Sequence, residues 1–170
     1  MAAVFIALGS NRGNRREQIE AGFAFLEQLS DSPIKRSSIY VSEPVGPAKR
    51  DFYNALARIE SDMEPSDLLK YCKAFEEERG RDPNAPRWSA RLIDLDLIGW
   101  DNLVVQSDNL IIPHPEYHKR LFVLLPLRDV APGWKDPATG RSLAELIRNA
   151  PPLRIHPIDQ PHKDTDTDKE

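Results

Sequence analysis

The segment Leu92-Ile-Asp94-Leu-Asp96-Leu-Ile98 constrains this chain more than any other. Its alternation is that of a β-strand, where successive side chains point to opposite faces. Ile93, Leu95 and Leu97 must then be buried, while Asp94 and Asp96 stand side by side on the other face. Aspartate is a poor strand former, so two of them in so apolar a strand are locally costly. They also repel each other unless something positive lies between them. Two readings fit these residues. One is a strand with a solvated face. The other is a pair of hard oxygen ligands for Mg2+, which takes one or two carboxylates and leaves positions for water and phosphate.

The rest of the chain supplies elements to surround that strand. Residues 4–8 are a short apolar run closed by Gly9-Ser10-Asn11, the pattern of a buried strand. Over 14–29, Ile19, Phe23 and Leu26 recur at helical spacing. Residues 33–41 have the composition of a strand, and the prolines and glycine of 43–51 mark a loop. Residues 52–60 alternate, with Tyr53, Ala55, Ala57 and Ile59 on one face and Phe52, Asn54, Leu56 and Arg58 on the other. Pro65 suits the first turn of a helix whose stripe is Leu68, Cys72 and Phe75, ending near Gly80. After a loop over 81–91, the strand 92–98 is expected to turn at Asp101-Asn102 and pair with 103–106 as a hairpin. Residues 111–115 read as extended, 117–130 as a helix interrupted or bent at Pro126, and 142–149 as a last short helix.

Strand–helix–strand twice over, with added hairpins, predicts an α+β fold: a mostly antiparallel sheet with helices packed on it. A parallel Rossmann-like sheet is the alternative, but its G-x-G-x-x-G turn is missing. One domain over 1–155 is expected. The segment 156–170 is polar and proline-punctuated, without apolar periodicity, and is expected to be a mobile tail.

Charge and composition narrow the function. Lys and Arg number 23 against 27 Asp and Glu, so the basic excess of a nucleic-acid binder is missing. No apolar run approaches the roughly 18 residues that cross a bilayer, and the N-terminus lacks the pattern of a signal peptide. The single cysteine, Cys72, can form no internal disulfide and build no cysteine metal site, so a cytoplasmic protein is expected. The positive charge is local: Arg79, Arg81, Arg87 and Arg91 precede the two aspartates. Guanidinium groups grip phosphate oxygens bidentately, and Trp88 among them offers a face for stacking. A basic loop beside a carboxylate pair suits a small polyphosphate with a metal, although a solvated arginine-rich loop is the plainer reading. His114 lies between two prolines that fix its backbone, as a functional or a purely structural histidine would. Arg120 could reach the same phosphates. Asn54 carries donors and an acceptor, the complement of a lactam or aminopyrimidine edge.

Ala7-Leu-Gly-Ser-Asn11, Phe52-Tyr-Asn-Ala55, Arg87-Trp-Ser-Ala-Arg-Leu-Ile-Asp-Leu-Asp96, Ile112-Pro-His-Pro115 and Arg120-Leu-Phe122 together resemble the 6-hydroxymethyl-7,8-dihydropterin pyrophosphokinase family of folate biosynthesis. The resemblance runs in order from about Ala3 to Pro132, and its R-W-x-x-R-x-x-D-x-D stretch is the specific part. It implies a ferredoxin-like sandwich and transfer of the β,γ-diphosphate of ATP to the pterin hydroxymethyl oxygen, releasing AMP, with two Mg2+ ions. Carried over, Asp94 and Asp96 correspond to the metal ligands, and Arg81 and Arg91 to clamps on the transferring phosphates. Glu76, Arg87, Trp88, Leu97, Ile98, His114 and Arg120 correspond to the nucleotide side. Ser42, Pro44, Val45, Phe52, Asn54 and Phe122 correspond to the pterin pocket. Pro83 and Asn109 stand where some members have arginine, and Pro115 where some have tyrosine.

A rival from another class is a non-catalytic ferredoxin-like module that binds a nucleotide or RNA. Such a sheet should expose aromatic rings on its central strands, where this chain has aspartates. A metal-dependent sugar-nucleotide transferase could also use an Asp-x-Asp pair, but is usually larger. The resemblance implies ATP and the pterin as partners, and neither nucleic acid nor membrane is expected; a monomer is expected, and a dimer remains open.

Overall fold

The structure is a computed structural model that describes residues 1–80 and 92–158. Its elements are β1 (Ala2–Ser10), α1 (Arg15–Leu29), β2 (Lys35–Arg36), β3 (Tyr40–Ser42), β4 (Phe52–Ser61), α2 (Pro65–Glu78), β5 (Asp94–Trp100), β6 (Val105–Gln106), β7 (Ile111–Ile112), α3 (Leu121–Val130), α4 (Leu143–Asn149) and β8 (Ile155–Pro157). A 3-10 turn at Tyr117–Lys119 precedes α3.

The main sheet has the order β5-β1-β4-β3-β8, with β2 also on β4, and every pairing is antiparallel. Two β-α-β units interleaved in this order make the expected ferredoxin-like α+β sandwich. On one face, Val4, Ile6 and Leu8 of β1 and Tyr53, Ala55, Ala57 and Ile59 of β4 meet Ile19, Phe23 and Leu26 of α1 and Leu68 and Cys72 of α2. Each large apolar side chain buried there contributes about 1.5–3 kcal/mol. Gly22 lets α1 approach the sheet closely, since a Cβ there would lie 2.6 Å from Leu8 Cδ2 and 2.8 Å from Ile93 Cδ1. Asn14 caps α1 by accepting the Glu17 N–H at 3.0 Å. On the other face Phe5, Leu56 and Ile98 pack against Val123, Leu124 and Leu127 of α3, Leu146 of α4, and Trp134.

Four expectations need correction or refinement. The strand over 33–41 is broken into β2 and β3. At the break, Ser37 N–H donates to Leu56 O, while Ser37 Oγ takes the place of a backbone carbonyl and accepts the Leu56 N–H at 2.8 Å. The hairpin of 92–98 with 103–106 does not form. Asp101 turns the chain with φ 48°, but its N–H and carboxylate both bond Ala3 of β1, and β6 pairs with β7 instead. The helix over 117–130 is divided, because Arg120 is extended at φ −120°, ψ 99° between the 3-10 turn and α3. Finally, β8 pairs with β3 and Ile158 N–H donates to Ile39 O, so the sheet takes in His156 and Pro157 from the segment assigned to the tail. Residues 159–170 lie outside the described residues. Among the described residues, no helix is long and apolar enough to cross a membrane.

Candidate active site

The site is built around the C-terminal half of β1, the central strand between β4 and β5. Gly9 pairs with Asn54 on one side and Asp94 on the other, and Ala7 pairs with Leu56 and Asp96. These two small residues leave a shallow floor between an amide and two carboxylates. Asp94 and Asp96 are two residues apart on one strand face, about 6.5–7 Å between their Cα atoms. Asp94 is half-buried and Asp96 exposed, while Leu95 and Leu97 point into the α1–α2 core as the alternation requires.

Three neighbouring spaces that share lining residues lie along this floor. A narrow slot of about 70 Å3 is lined by Ser42, Val45, Phe52, Asn54 and Phe122. A recess of about 200 Å3 shares Phe52, Asn54 and Phe122 with the slot and adds Ala7, Gly9, Asp94, Asp96 and Arg120. A larger cavity of about 490 Å3 continues from Asp96 to Glu76, Leu97 and His114, and to Leu69, Cys72 and Lys73 of α2 and Asp108–Ile111. Asp96 lines both the recess and the larger cavity.

Polar side chains in these walls are held in defined orientations. Asn54 is buried and its Nδ2 donates to Ser42 Oγ at 2.9 Å, which leaves Oδ1 toward the Gly9 floor. Glu76, on the buried side of α2, accepts the Leu95 N–H at 2.6 Å between the two aspartates. This bond covers the outer edge of β5, where β1 offers no partner. His114 Nδ1 accepts the Glu116 N–H at 3.0 Å, so the neutral ring carries its proton on Nε2. Burial lowers the His114 pKa against the opposing pull of Asp96, with Arg120 lowering it further. The ring is therefore neutral near pH 7. Cys72 has its thiol pushed up to about 12 by burial and by Glu76, which makes it inert packing rather than a nucleophile.

The loop over 43–51 is braced from behind. Glu43 N–H donates to Arg154 O at 3.0 Å, and Arg154 N–H returns a bond to Glu43 Oε2 at 2.7 Å. Arg15, fully buried, donates from Nη1 to Asp51 O at 2.9 Å and lies over the Tyr53 ring.

Most of the described candidate residues converge on this trough. Ser42, Val45, Phe52, Asn54 and Phe122 share the slot; Asp94, Asp96 and Arg120 share the recess; Glu76, Leu97 and His114 share the larger cavity. Pro44 is half-buried and lines none of the three spaces. Ile98 is 1% exposed in the α3 core, and only its carbonyl, which accepts the His114 N–H, takes part. Arg81, Pro83, Arg87, Trp88 and Arg91 lie outside the described residues.

Asp94 and Asp96 are the pair that could hold a hard divalent cation. Both are oxygen donors on one face, and no cluster of three or more His, Cys, Asp or Glu suited to a metal occurs among the described residues. Water and a bound ligand would complete the shell, as Mg2+ favours. The described wall of the larger cavity carries Glu76, Asp96 and Asp108 against Lys73 alone, so a polyphosphate needs added positive charge there.

A sequence profile described as 7,8-dihydro-6-hydroxymethylpterin-pyrophosphokinase (HPPK) matches residues 5–132. The chain belongs to the HPPK family. It is 39% identical over 133 residues to the 2-amino-4-hydroxy-6-hydroxymethyldihydropteridine pyrophosphokinase of Haemophilus influenzae, covering 77% of this chain and 82% of that one. It is 38% identical over 150 residues to the protein of the same name from Pseudomonas aeruginosa, covering 87% and 91%. Among solved structures, a Plasmodium falciparum HPPK-DHPS chain superposes with a TM-score of 0.66 at 14% identity. That match covers 87% of this chain and 42% of the Plasmodium chain, and shows the shared fold.

The HPPK match spans β1 through α3, which contain nearly the whole trough, and ends before α4 and β8. Leu69 and Lys73 were not singled out in the sequence, and Gly9 was quoted there without a site role. The two α2 residues lie seven and three positions before Glu76, on its helix face, so helical spacing from Glu76 would have found them. Gly9 could have been found by asking what opposes Asp94 across the sheet.

Proposed function

We propose that this HPPK-family protein transfers the β,γ-diphosphate of ATP to 6-hydroxymethyl-7,8-dihydropterin in folate biosynthesis, and that it requires Mg2+. The observation that carries the reading is Asp96, shared between the recess beside the slot and the larger cavity. Two chemically different substrates entering from opposite ends would meet at the Asp94–Asp96 face.

The slot suits a flat, polar heterocycle. Phe52 and Phe122 supply aromatic walls, and Asn54, held by Ser42, presents an acceptor for an aminopyrimidine edge. Pro44 and Val45 belong to the loop that would cover the ring. The larger cavity would take the nucleotide, with neutral His114 donating from Nε2 to a phosphate oxygen and Arg120 adding charge from the recess.

The hydroxymethyl oxygen attacks the β-phosphorus, forming a P–O bond as the bond from that phosphorus to the α,β-bridging oxygen breaks. AMP leaves, and the hydroxyl proton passes to the Asp94–Asp96 pair. Catalysis of this kind rests on positioning and charge neutralisation rather than a covalent nucleophile. Two Mg2+ ions, when bound at Asp94 and Asp96, would supply neutralisation of the triphosphate. Arg81 and Arg91 would grip the transferring phosphates, and Arg87 and Trp88 would contact the nucleotide. Action as a monomer in the cytoplasm, where ATP is supplied, belongs to the same proposal.

Incubation with ATP, Mg2+ and the pterin, followed by phosphorus NMR, tests this. AMP and a pterin diphosphate are expected in equal amounts. ADP would indicate single-phosphate transfer, and no nucleotide product would indicate a binding module.

A further inference from the structure

Tyr117 sits midway between His114 and Arg120 and is bonded through its backbone to both. Its N–H donates to His114 O at 3.4 Å, and its carbonyl accepts the Arg120 N–H at 3.0 Å. His114 and Arg120 are only half-buried, so packing alone does not orient them, whereas Tyr117 is 1% exposed. The Tyr117 hydroxyl reaches into the second core, donates to Asp136 Oδ2 and accepts the Trp134 Nε1–H at 3.3 Å. Asp136 is itself held by its loop, with Oδ1 accepting the Ala138 and Thr139 amides at 2.8 and 2.9 Å.

Trp134 is wedged as firmly. Its indole fills the space beside Gly99, where a Cβ would lie 2.6 Å from Cη2, and it meets the Phe5 ring edge-on at 5.0 Å. Gly99 directly follows Ile98, whose carbonyl accepts the His114 N–H at 2.9 Å. The cluster therefore reaches His114 by two routes, through the Tyr117 backbone and through β5. An apolar side chain would fill the same volume as Tyr117. Burying a hydroxyl and a carboxylate instead costs desolvation that only their mutual bonding offsets, and what the pair adds beyond packing is orientation.

We propose that Asp136 and Trp134 are positioning residues that act through the Tyr117 hydroxyl to set where His114 and Arg120 face the nucleotide. The nucleotide part of this inference rests on the function proposed above. None of the three touches the reacting atoms.

Tyr117→Phe keeps the ring and deletes the hydroxyl, Asp136→Ala removes the other end, and the double variant closes the cycle. In the ligand-free protein, exchange of the Glu116, Tyr117 and Arg120 amides should quicken by about threefold to thirtyfold in either single variant, while β1 and β4 amides hold. In the assay, KM for ATP should rise within the same range and KM for the pterin by less than about twofold, because Ser42 and Asn54 stand on other strands. The double variant should lose no more than the worse single one. Exchange rising equally in β1 and β4 would show a merely structural role and overturn the proposal, as would unchanged exchange at residues 116–120 or equal rises in both KM values. Should the wild-type protein make no AMP, the proposed reaction fails, and the exchange comparison alone still decides whether the Tyr117 hydroxyl positions residues 114–120.

Discussion

Asp96 lines the two spaces where the substrates would react, is exposed, and contributes nothing to either core. Its replacement should therefore leave the fold alone and damage the chemistry. Asp96→Asn is expected to lower kcat by about a hundredfold or more, the scale set by losing one charge-stabilising group. Circular dichroism and thermal unfolding should match the wild type, and near-normal AMP formation by a folded variant would contradict the assignment. At this scale the sequence was most informative where chemistry and periodicity coincide. The alternation in 92–98 puts both aspartates on one face, and Asn54, polar among the apolar residues 52–57, marks the opposite wall. Tyr117 was not legible, because its partner Asp136 lies 19 residues away and nothing local distinguishes it from an ordinary core aromatic.

Elements were legible where their own residues decide them, and less so where a distant partner does. The helices α1 and α2 follow from apolar spacing with a cap or proline at the start, and β4 follows from its alternation. The hairpin after β5 was misread because alternation identifies a strand without naming its neighbour, and Asp101 is bonded to Ala3 instead. The segment between Trp134 and α4 has no regular periodicity, yet it is pinned by Asp136. Burial alone would push the Asp136 carboxyl up, but hydrogen bonds from Tyr117, Thr139 and Ala138 overcome this and hold it below the ordinary carboxylate value. With the native pKa below the unfolded value of about 3.9, the stabilisation is present above that pH and is lost as pH falls through the native pKa. Urea unfolding of Asp136→Asn should show a stability deficit that is full near neutrality and shrinks below about pH 4. A deficit independent of pH would mean that the carboxylate charge does not contribute.

Across the whole molecule, the sheet divides the labour. One face is sealed by α1 and α2. The other is covered by α3 and α4 only as far as Phe5, Leu56 and Ile98, so the ends of β1, β4 and β5 that carry Gly9, Asn54 and Asp94 stay open. A net charge of −4 fits this arrangement, because positive charge is needed at one place only. The fold class was legible from the order of strands and helices, whereas the continuity of slot, recess and cavity depends on how α3 sits over the sheet. That continuity is the central claim, and a crystal structure with Mg2+, a non-hydrolysable ATP analogue and 6-hydroxymethylpterin tests it directly. The account predicts the pterin against Asn54 between Phe52 and Phe122, and the β-phosphate over Asp94 and Asp96. A nucleotide bound away from those two carboxylates, or a pterin outside the slot, would contradict it.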